Sequence, residues 1–66
     1  MSLSVEEMMV EIYDAEVNIR IESTWDLGYT FEILGDSNGE FECDNFREGV
    51  RWLHRRIIDE PEKRKQ

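Results

Sequence analysis

The chain contains one cysteine, Cys43, and one histidine, His54, as candidates for a nucleophile and a general base. Its sixteen carboxylates would also allow an acid–base pair, but on an open sheet face we expect them to stay solvated. Nucleophilic and acid–base catalysis need such groups held together around a pocket. Cys43 lies on the inward side of a predicted strand, where we expect a small buried hydrophobic residue. His54 borders the apolar stripe of a predicted helix, where we expect a half-buried structural imidazole. These residue assignments predict a protein without catalytic activity. An enzyme would need a pocket beside His54.

Metal and cofactor chemistry has little support in the residue pattern. The sequence holds no set of four cysteine and histidine ligands for structural zinc. The segment 36–40 is similar to part of a calcium loop, but it lacks the loop framework and the bidentate glutamate at its end. None of the glycines lies in a phosphate-binding motif. We expect no cofactor and no metal ion.

One cluster of basic residues stands out. Arg47, Arg51 and Arg55 follow each other at intervals of four, which places them along one face of a predicted helix, with Arg56 on the other flank. These arginines are either a solvated face balanced by the acidic body or a strip that docks on an acidic surface, such as the sheet of a second copy. Arginine suits docking because its planar guanidinium binds carboxylates in a bidentate manner. The predicted partner-binding residues are Arg47, Arg51, Trp52, Arg55 and Ile58.

The net charge of -8 is unevenly distributed along the chain. Residues 1–46 hold twelve acidic residues and one basic residue, for a net charge of -11, whereas residues 47–66 hold seven basic and four acidic residues, for a net charge of +3. This asymmetry either creates an oriented field that a partner or a second subunit can recognise, or the acidic surface simply keeps a small protein soluble.

The 66 residues fit one domain with a thin stability margin, which disulfides, metals or oligomerisation usually offset. A single cysteine excludes an intrachain disulfide, so we expect a homodimer, or else a complex with a basic protein. No apolar run of about 18 residues and no signal-peptide pattern occurs. We therefore expect a soluble, cytoplasmic protein without a membrane partner.

Three stretches with alternating apolar residues predict antiparallel strands at about 16–24, 29–34 and 40–44. Glycine-containing turns separate them, and Gly28 is placed to adopt a positive φ. Because Trp25 continues the inward alternation of the first strand, we expect it to pack against Gly49. The outward row of acids on the third strand would oppose edge-to-edge aggregation.

Two helices are predicted at about 4–14 and 46–58. Ser4 and Glu7 form a capping-box pattern at the start of the first helix. Asp44 or Asn45 is expected to cap the second, with Glu48, three residues after Asn45, as a capping-box partner. A charged tail at 61–66, beginning with Pro61, is expected to fray. The predicted fold is α+β in the order α-β-β-β-α: a three-stranded antiparallel sheet with two roughly parallel helices packed on one face.

The order α-β-β-β-α in about 66 residues resembles the double-stranded-RNA-binding domain. That family uses a Gly-Pro-x-His type turn after strand one and a Lys-Lys-x-Ala-Lys type start to helix two. Here the corresponding segments are 25–28, Trp-Asp-Leu-Gly, and 46–49, Phe-Arg-Glu-Gly, and only Arg47 and Arg51 could replace the lysines. The twelve acids of residues 1–46 oppose binding to phosphates. The resemblance implies the fold, with a nucleic-acid-associated role as the alternative function.

A local similarity connects segments 26–33 (Asp-Leu-Gly-Tyr-Thr-Phe-Glu-Ile) and 46–53 (Phe-Arg-Glu-Gly-Val-Arg-Trp-Leu) to the HicB-like antitoxin domain. A strand that opens on an Asp-x-Gly-Tyr turn, followed by a helix that starts Phe-x-Glu-small-Val, is similar to that family. The chain departs from it by a helix before strand one and by the lack of a Pro-Asp loop after strand two. The resemblance implies an acidic protein that neutralises a basic partner. Taken together, the residues predict a small acidic interaction or regulatory module that acts as a dimer.

Overall fold

The computed structural model describes residues 3–36 and 39–59. The chain runs through α1 (Val5–Asp14), β1 (Ile19–Thr24), β2 (Gly28–Ile33), β3 (Glu40–Cys43) and α2 (Phe46–His54), and α2 continues into a π-helical turn (Arg55–Asp59). The predicted tail at 61–66 and the turn residues Ser37 and Asn38 lie outside the described residues. The α+β class and the order α-β-β-β-α are confirmed.

The first helix begins where its capping residues predict. The Ser4 hydroxyl accepts the Glu7 backbone N–H at 3.1 Å, and the Glu7 carboxylate accepts the Ser4 backbone N–H at 2.8 Å. This reciprocal pair satisfies two N–H groups that have no partner within the helix. At α2 the Asn45 side chain accepts the Glu48 backbone N–H at 3.2 Å, so Asn45 is the N-cap there as well.

The three strands form an antiparallel sheet in the order β1-β2-β3. Strand β1 begins three residues later than the alternation predicts, because the chain leaves α1 through Glu16, which has a left-handed φ of 60°. Gly28 has a φ of 97°, as predicted, and a Cβ there would lie 2.6 Å from the Cys43 carbonyl oxygen. The β1–β2 turn and the end of β3 therefore meet at one end of the sheet.

The core lies between one face of the sheet and the two helices. Its fully enclosed residues come from α1, β2, α2 and the π-helical turn: Met8, Ile12, Phe31, Ile33, Val50, Leu53 and Ile57. The partly buried side chains of β1 and β3, Ile19, Ile21 and Phe41 among them, pack around this cluster. The other face of the sheet carries the charged residues that alternate with them.

Phe31 occupies the place that the sequence assigns to Trp25. The ring of Phe31 lies so close to Gly49 that a Cβ on this glycine would be 1.9 Å from a ring carbon. Trp25 is 97% exposed, so the prediction that it packs against Gly49 is wrong. The strand alternation ends at Thr24, and the turn that follows directs the indole away from the core.

The two helices run in the same direction on the covered face of the sheet. Residues late in each helix meet, since the His54 Nε2 atom lies 2.6 Å from the Glu11 Oε1 atom. The sequence predicts one regular helix over 46–58, whereas Arg55–Asp59 form a π-helical turn. This turn still places Ile57 in the core.

Candidate interaction surfaces

The arginine strip, Arg47, Arg51 and Arg55, lies on the outer side of α2 and its π-helical continuation. All three side chains are exposed. Within the part of the chain that the structure describes, none of them forms an ion pair or a side-chain hydrogen bond. Arg56 on the other flank differs, because it pairs with Asp36 at 3.0 Å. The strip therefore holds three guanidinium groups that remain available to another molecule.

A shallow cleft opens to solvent beside the strip, between α2 and β3. It has a volume of about 320 Å³ and is lined by Phe41, Glu48, Arg51, Trp52 and Arg55. The Trp52 ring stacks on Phe41 with 5.3 Å between the ring centres and 14° between the planes, and the Arg56 guanidinium carbon lies 5.5 Å from the Trp52 ring centre. The cleft thus combines a stacked aromatic pair with the guanidinium groups of Arg51 and Arg55, which have no ion-pair partner among residues 3–36 and 39–59.

The structure brings together three of the five predicted partner-binding residues. Arg51, Trp52 and Arg55 all line the cleft beside α2. Arg47 lies one turn earlier on α2, and Ile58 lies in the π-helical turn; neither of them lines the cleft. Their role in binding stays a prediction.

The exposed face of the sheet is acidic. Across the strands, Arg20 lies opposite Glu32, which lies opposite Glu40; the next row is Glu22, Thr30 and Glu42. The Arg20 guanidinium binds the Glu32 carboxylate at 2.7 Å. Four carboxylates and one guanidinium give this face an excess of negative charge.

A third surface, absent from the predicted set, is the tip of the β1–β2 hairpin. Trp25 and Leu27 are 97% and 78% exposed, and Asp26 lies between them in the chain. The tip borders a depression that Tyr29 and Asp44 also line. Sequence alternation missed this surface because it treats Trp25 as one more strand residue, although the following Asp-Leu-Gly indicates a turn.

The two side chains with potential for nucleophilic or base chemistry have structural partners. His54, whose side chain is 13% exposed, contacts Glu11 as described above. The Cys43 Sγ atom donates to the Asn45 carbonyl oxygen at 3.1 Å, and this cysteine is half-buried rather than buried. Neither residue lines the cleft beside α2. Among residues 3–36 and 39–59, no three His, Cys, Asp or Glu side chains form a group that could hold a metal ion.

No protein-family model, curated protein or solved structure matches the chain. The two family resemblances inferred from the sequence therefore stay predictions. No helix in the described ranges has both the length and the apolar character needed to cross a membrane.

Proposed function

We propose that the protein is a small non-catalytic interaction or regulatory module that acts as a dimer and binds acidic protein surfaces through the arginine strip. The observation that carries this proposal is the lack of intramolecular partners for Arg47, Arg51 and Arg55 within the described residues, in a chain with twice as many acidic as basic residues. Arginine suits an intermolecular role because its planar guanidinium binds carboxylates in a bidentate manner.

The module's own acidic surfaces make a second copy the first partner to consider. The exposed sheet face carries four carboxylates, and the strip lies on the helix layer that covers the opposite face. Two copies can therefore bring unlike charges together, and contacts of this kind raise association rates and select partners. The dimer would act by covering or presenting a surface. The same acidic face would suit a basic protein, as the resemblance to HicB-like antitoxin domains implies.

Sedimentation equilibrium at low and high NaCl tests the proposal. Because salt screens charge contacts, we expect the dimer fraction to fall as the salt concentration rises. Replacing Arg51 and Arg55 by glutamine should weaken dimerisation by roughly tenfold at low salt. Arg20→Gln is the matched control, because it removes the same type of charge from a residue already paired with Glu32, and it should not weaken the dimer. An equal dimer fraction at both salt concentrations would contradict the proposal.

The second candidate function is binding to duplex RNA. The α-β-β-β-α order and the arginine strip on α2 favour it. The carboxylates of Glu6 and Glu7 in the first turn of α1 and those of the sheet face oppose it, because they repel phosphates. A gel-shift titration with duplex RNA at low salt separates the two functions: tight binding that Arg47→Gln weakens would favour the RNA candidate.

A further inference from the structure

The tip of the β1–β2 hairpin has the composition of a binding anchor. Trp25 is 97% exposed and Leu27 is 78% exposed, and the two residues lie on either side of Asp26 in the turn. Tryptophan is the residue type most enriched among those that dominate binding energy at protein interfaces. Apolar side chains of this size on the surface of a small chain mark a contact site when they cluster.

Two local contacts constrain the backbone of this tip. The Leu27 backbone N–H donates to the Thr24 carbonyl oxygen at 3.2 Å, and Gly28 has a positive φ at a point of close approach to Cys43. A partner that binds Trp25 and Leu27 would therefore pay little entropy for ordering the loop.

The charge around the tip indicates which surface it fits. Asp26 separates the two apolar residues, and Asp44 lines the adjoining depression. A complementary surface needs an apolar wall and unpaired cations. The cleft beside α2 has both: Phe41 and Trp52 form an aromatic wall, and Arg51 and Arg55, which have no ion-pair partner among the described residues, outnumber Glu48, which also lines the cleft. Its volume of about 320 Å³ is at the lower limit of pockets that enclose a small ligand, which is suitable for one aromatic side chain.

The exposed sheet face is a poorer match for this cleft. Within β1, β2 and β3, the positions on that side are Arg20, Glu22, Thr24, Gly28, Thr30, Glu32, Glu40 and Glu42. These positions supply carboxylates but no large apolar side chain to cover Trp52. The hairpin tip, in contrast, joins the carboxylate of Asp26 to two exposed apolar side chains, Trp25 and Leu27, in one turn.

We propose that the hairpin tip of one copy docks in the cleft beside α2 of a second copy, where Trp25 packs against Trp52 and Phe41 and Asp26 pairs with Arg51 or Arg55. This inference rests on the proposed function and names the acidic surface that the arginine strip binds. The contact joins two different surfaces, the tip of one copy and the cleft of the other. Two copies related by a two-fold axis would form this contact twice and so make a closed dimer. Without that symmetry, each further copy could add to the last one and produce an open polymer.

Single substitutions at the tip, each with a matched control, test the contact by sedimentation equilibrium at low salt. Trp25→Ala should raise the dimer dissociation constant by roughly 30-fold or more, as for a central aromatic anchor. Tyr13→Ala is its control, because Tyr13 is 82% exposed on α1 and borders a different depression, with Val17 and Asn18; this variant should stay within about twofold of the unmodified chain. Among the described residues, neither Trp25 nor Tyr13 belongs to the core or to the side chains packed against it, so both variants should keep the unfolding midpoint of the parent.

Two variants that each remove one charge show whether the tip or the sheet face binds the arginine strip. Asp26→Asn and Glu42→Gln each remove one carboxylate, and only the first should weaken dimerisation. The inference is overturned if Trp25→Ala dimerises like the parent, or if Glu42→Gln weakens the dimer and Asp26→Asn does not. The proposed function survives that result if the loss of Arg51 and Arg55 still abolishes salt-sensitive association; a chain that stays monomeric at low salt overturns both.

Discussion

At Gly49 the backbone of α2 comes so close to the Phe31 ring that no side chain fits between them. A Cβ would lie 1.9, 2.1 and 2.3 Å from three ring atoms, and Phe31 is fully buried. Val50 and Leu53 of the same helix belong to the same core as the ring, so a shift of the ring would disturb its packed neighbours. The position therefore needs glycine for close packing and not for a special φ.

Gly49→Ala tests this contact against helix propensity. Alanine improves the propensity of a helix position by about 1 kcal/mol, whereas overpacking a dense core costs about 1–3 kcal/mol. Because the added carbon would overlap a buried ring, we expect the upper end of this cost, and so a net fall of about 2 kcal/mol in the free energy of unfolding. Urea denaturation measures this change. Val10→Ala, at an exposed position within α1, is the control for helix propensity alone and should raise the midpoint. An equal or higher midpoint for Gly49→Ala would show that the ring can relax.

Trp25 and Phe31 show which residue-scale features the sequence does and does not contain. Alternation correctly places Phe31, Ile33 and Phe41 on the inward side, because each lies within a strand. It fails for Trp25, because alternation assigns a side chain to one face of the sheet only within a strand, and β1 ends at Thr24. The pairing of Gly49 with Phe31 instead of Trp25 depends on how closely α2 approaches β2, and a sequence pattern carries no information on that distance.

At the scale of single elements, the end of α1 holds backbone strain that can be relieved. After Ala15 the chain turns at Glu16 with a φ of 60°, and the Glu16 backbone N–H donates to the Tyr13 carbonyl oxygen at 3.1 Å. Helices often end with one left-handed residue of this kind, and glycine is the preferred type because a Cβ is unfavourable in that conformation.

Glu16→Gly should stabilise the protein. Left-handed backbone costs an L-residue about 1–2 kcal/mol, part of which the entropy of glycine offsets, so we expect a gain of about 1 kcal/mol in the free energy of unfolding. Glu16→Ala removes the same charge but keeps the Cβ, and it should give little of this gain. If both variants stabilise the chain equally in thermal unfolding, charge and not backbone strain explains the effect.

The predictable part of the elements lies where local chemistry decides the structure. The start of α1 follows from the Ser4 and Glu7 capping pair, and the start of α2 follows from Asn45. The strand starts are less predictable. Residues 16–18 have the alternation of a strand, but β1 begins only at Ile19 because the chain is still leaving the helix at Glu16. The π-helical turn at Arg55–Asp59 has no local signal, and the cleft beside α2 depends on tertiary contact between Phe41 and Trp52.

At the scale of the whole molecule, like charges are crowded on a thin body. The fold measures 33 × 30 × 16 Å, and its charge is -8. Three ion pairs occur among the described residues, one of which involves His54. Glu32 and Glu40 lie directly opposite each other on neighbouring strands, an arrangement that destabilises a sheet. At low ionic strength the Debye length exceeds the thickness of this molecule, so carboxylates on different elements repel each other.

Salt should therefore act in opposite directions on folding and on association. Raising NaCl from about 10 mM to about 150 mM shortens the Debye length from roughly 30 Å to roughly 8 Å. We expect the urea midpoint of the monomer, measured at a protein concentration below the dimer dissociation constant, to rise, while the dimer fraction at higher concentration falls. Screening by salt weakens the repulsion within one chain and the attraction between two chains. Salt concentration therefore distinguishes the effect of charge on folding from its effect on dimerisation.

Two substitutions that each remove one carboxylate show where the repulsion lies. Glu40→Gln should raise the midpoint at low salt and reduce its dependence on salt, because it removes the charge that opposes Glu32. Glu6→Gln should lower the midpoint slightly, since a carboxylate in the first turn of α1 is stabilised by the positive end of the helix dipole. If both variants raise the midpoint by the same amount, total charge and not its placement controls stability, and the row of Arg20, Glu32 and Glu40 has no special role.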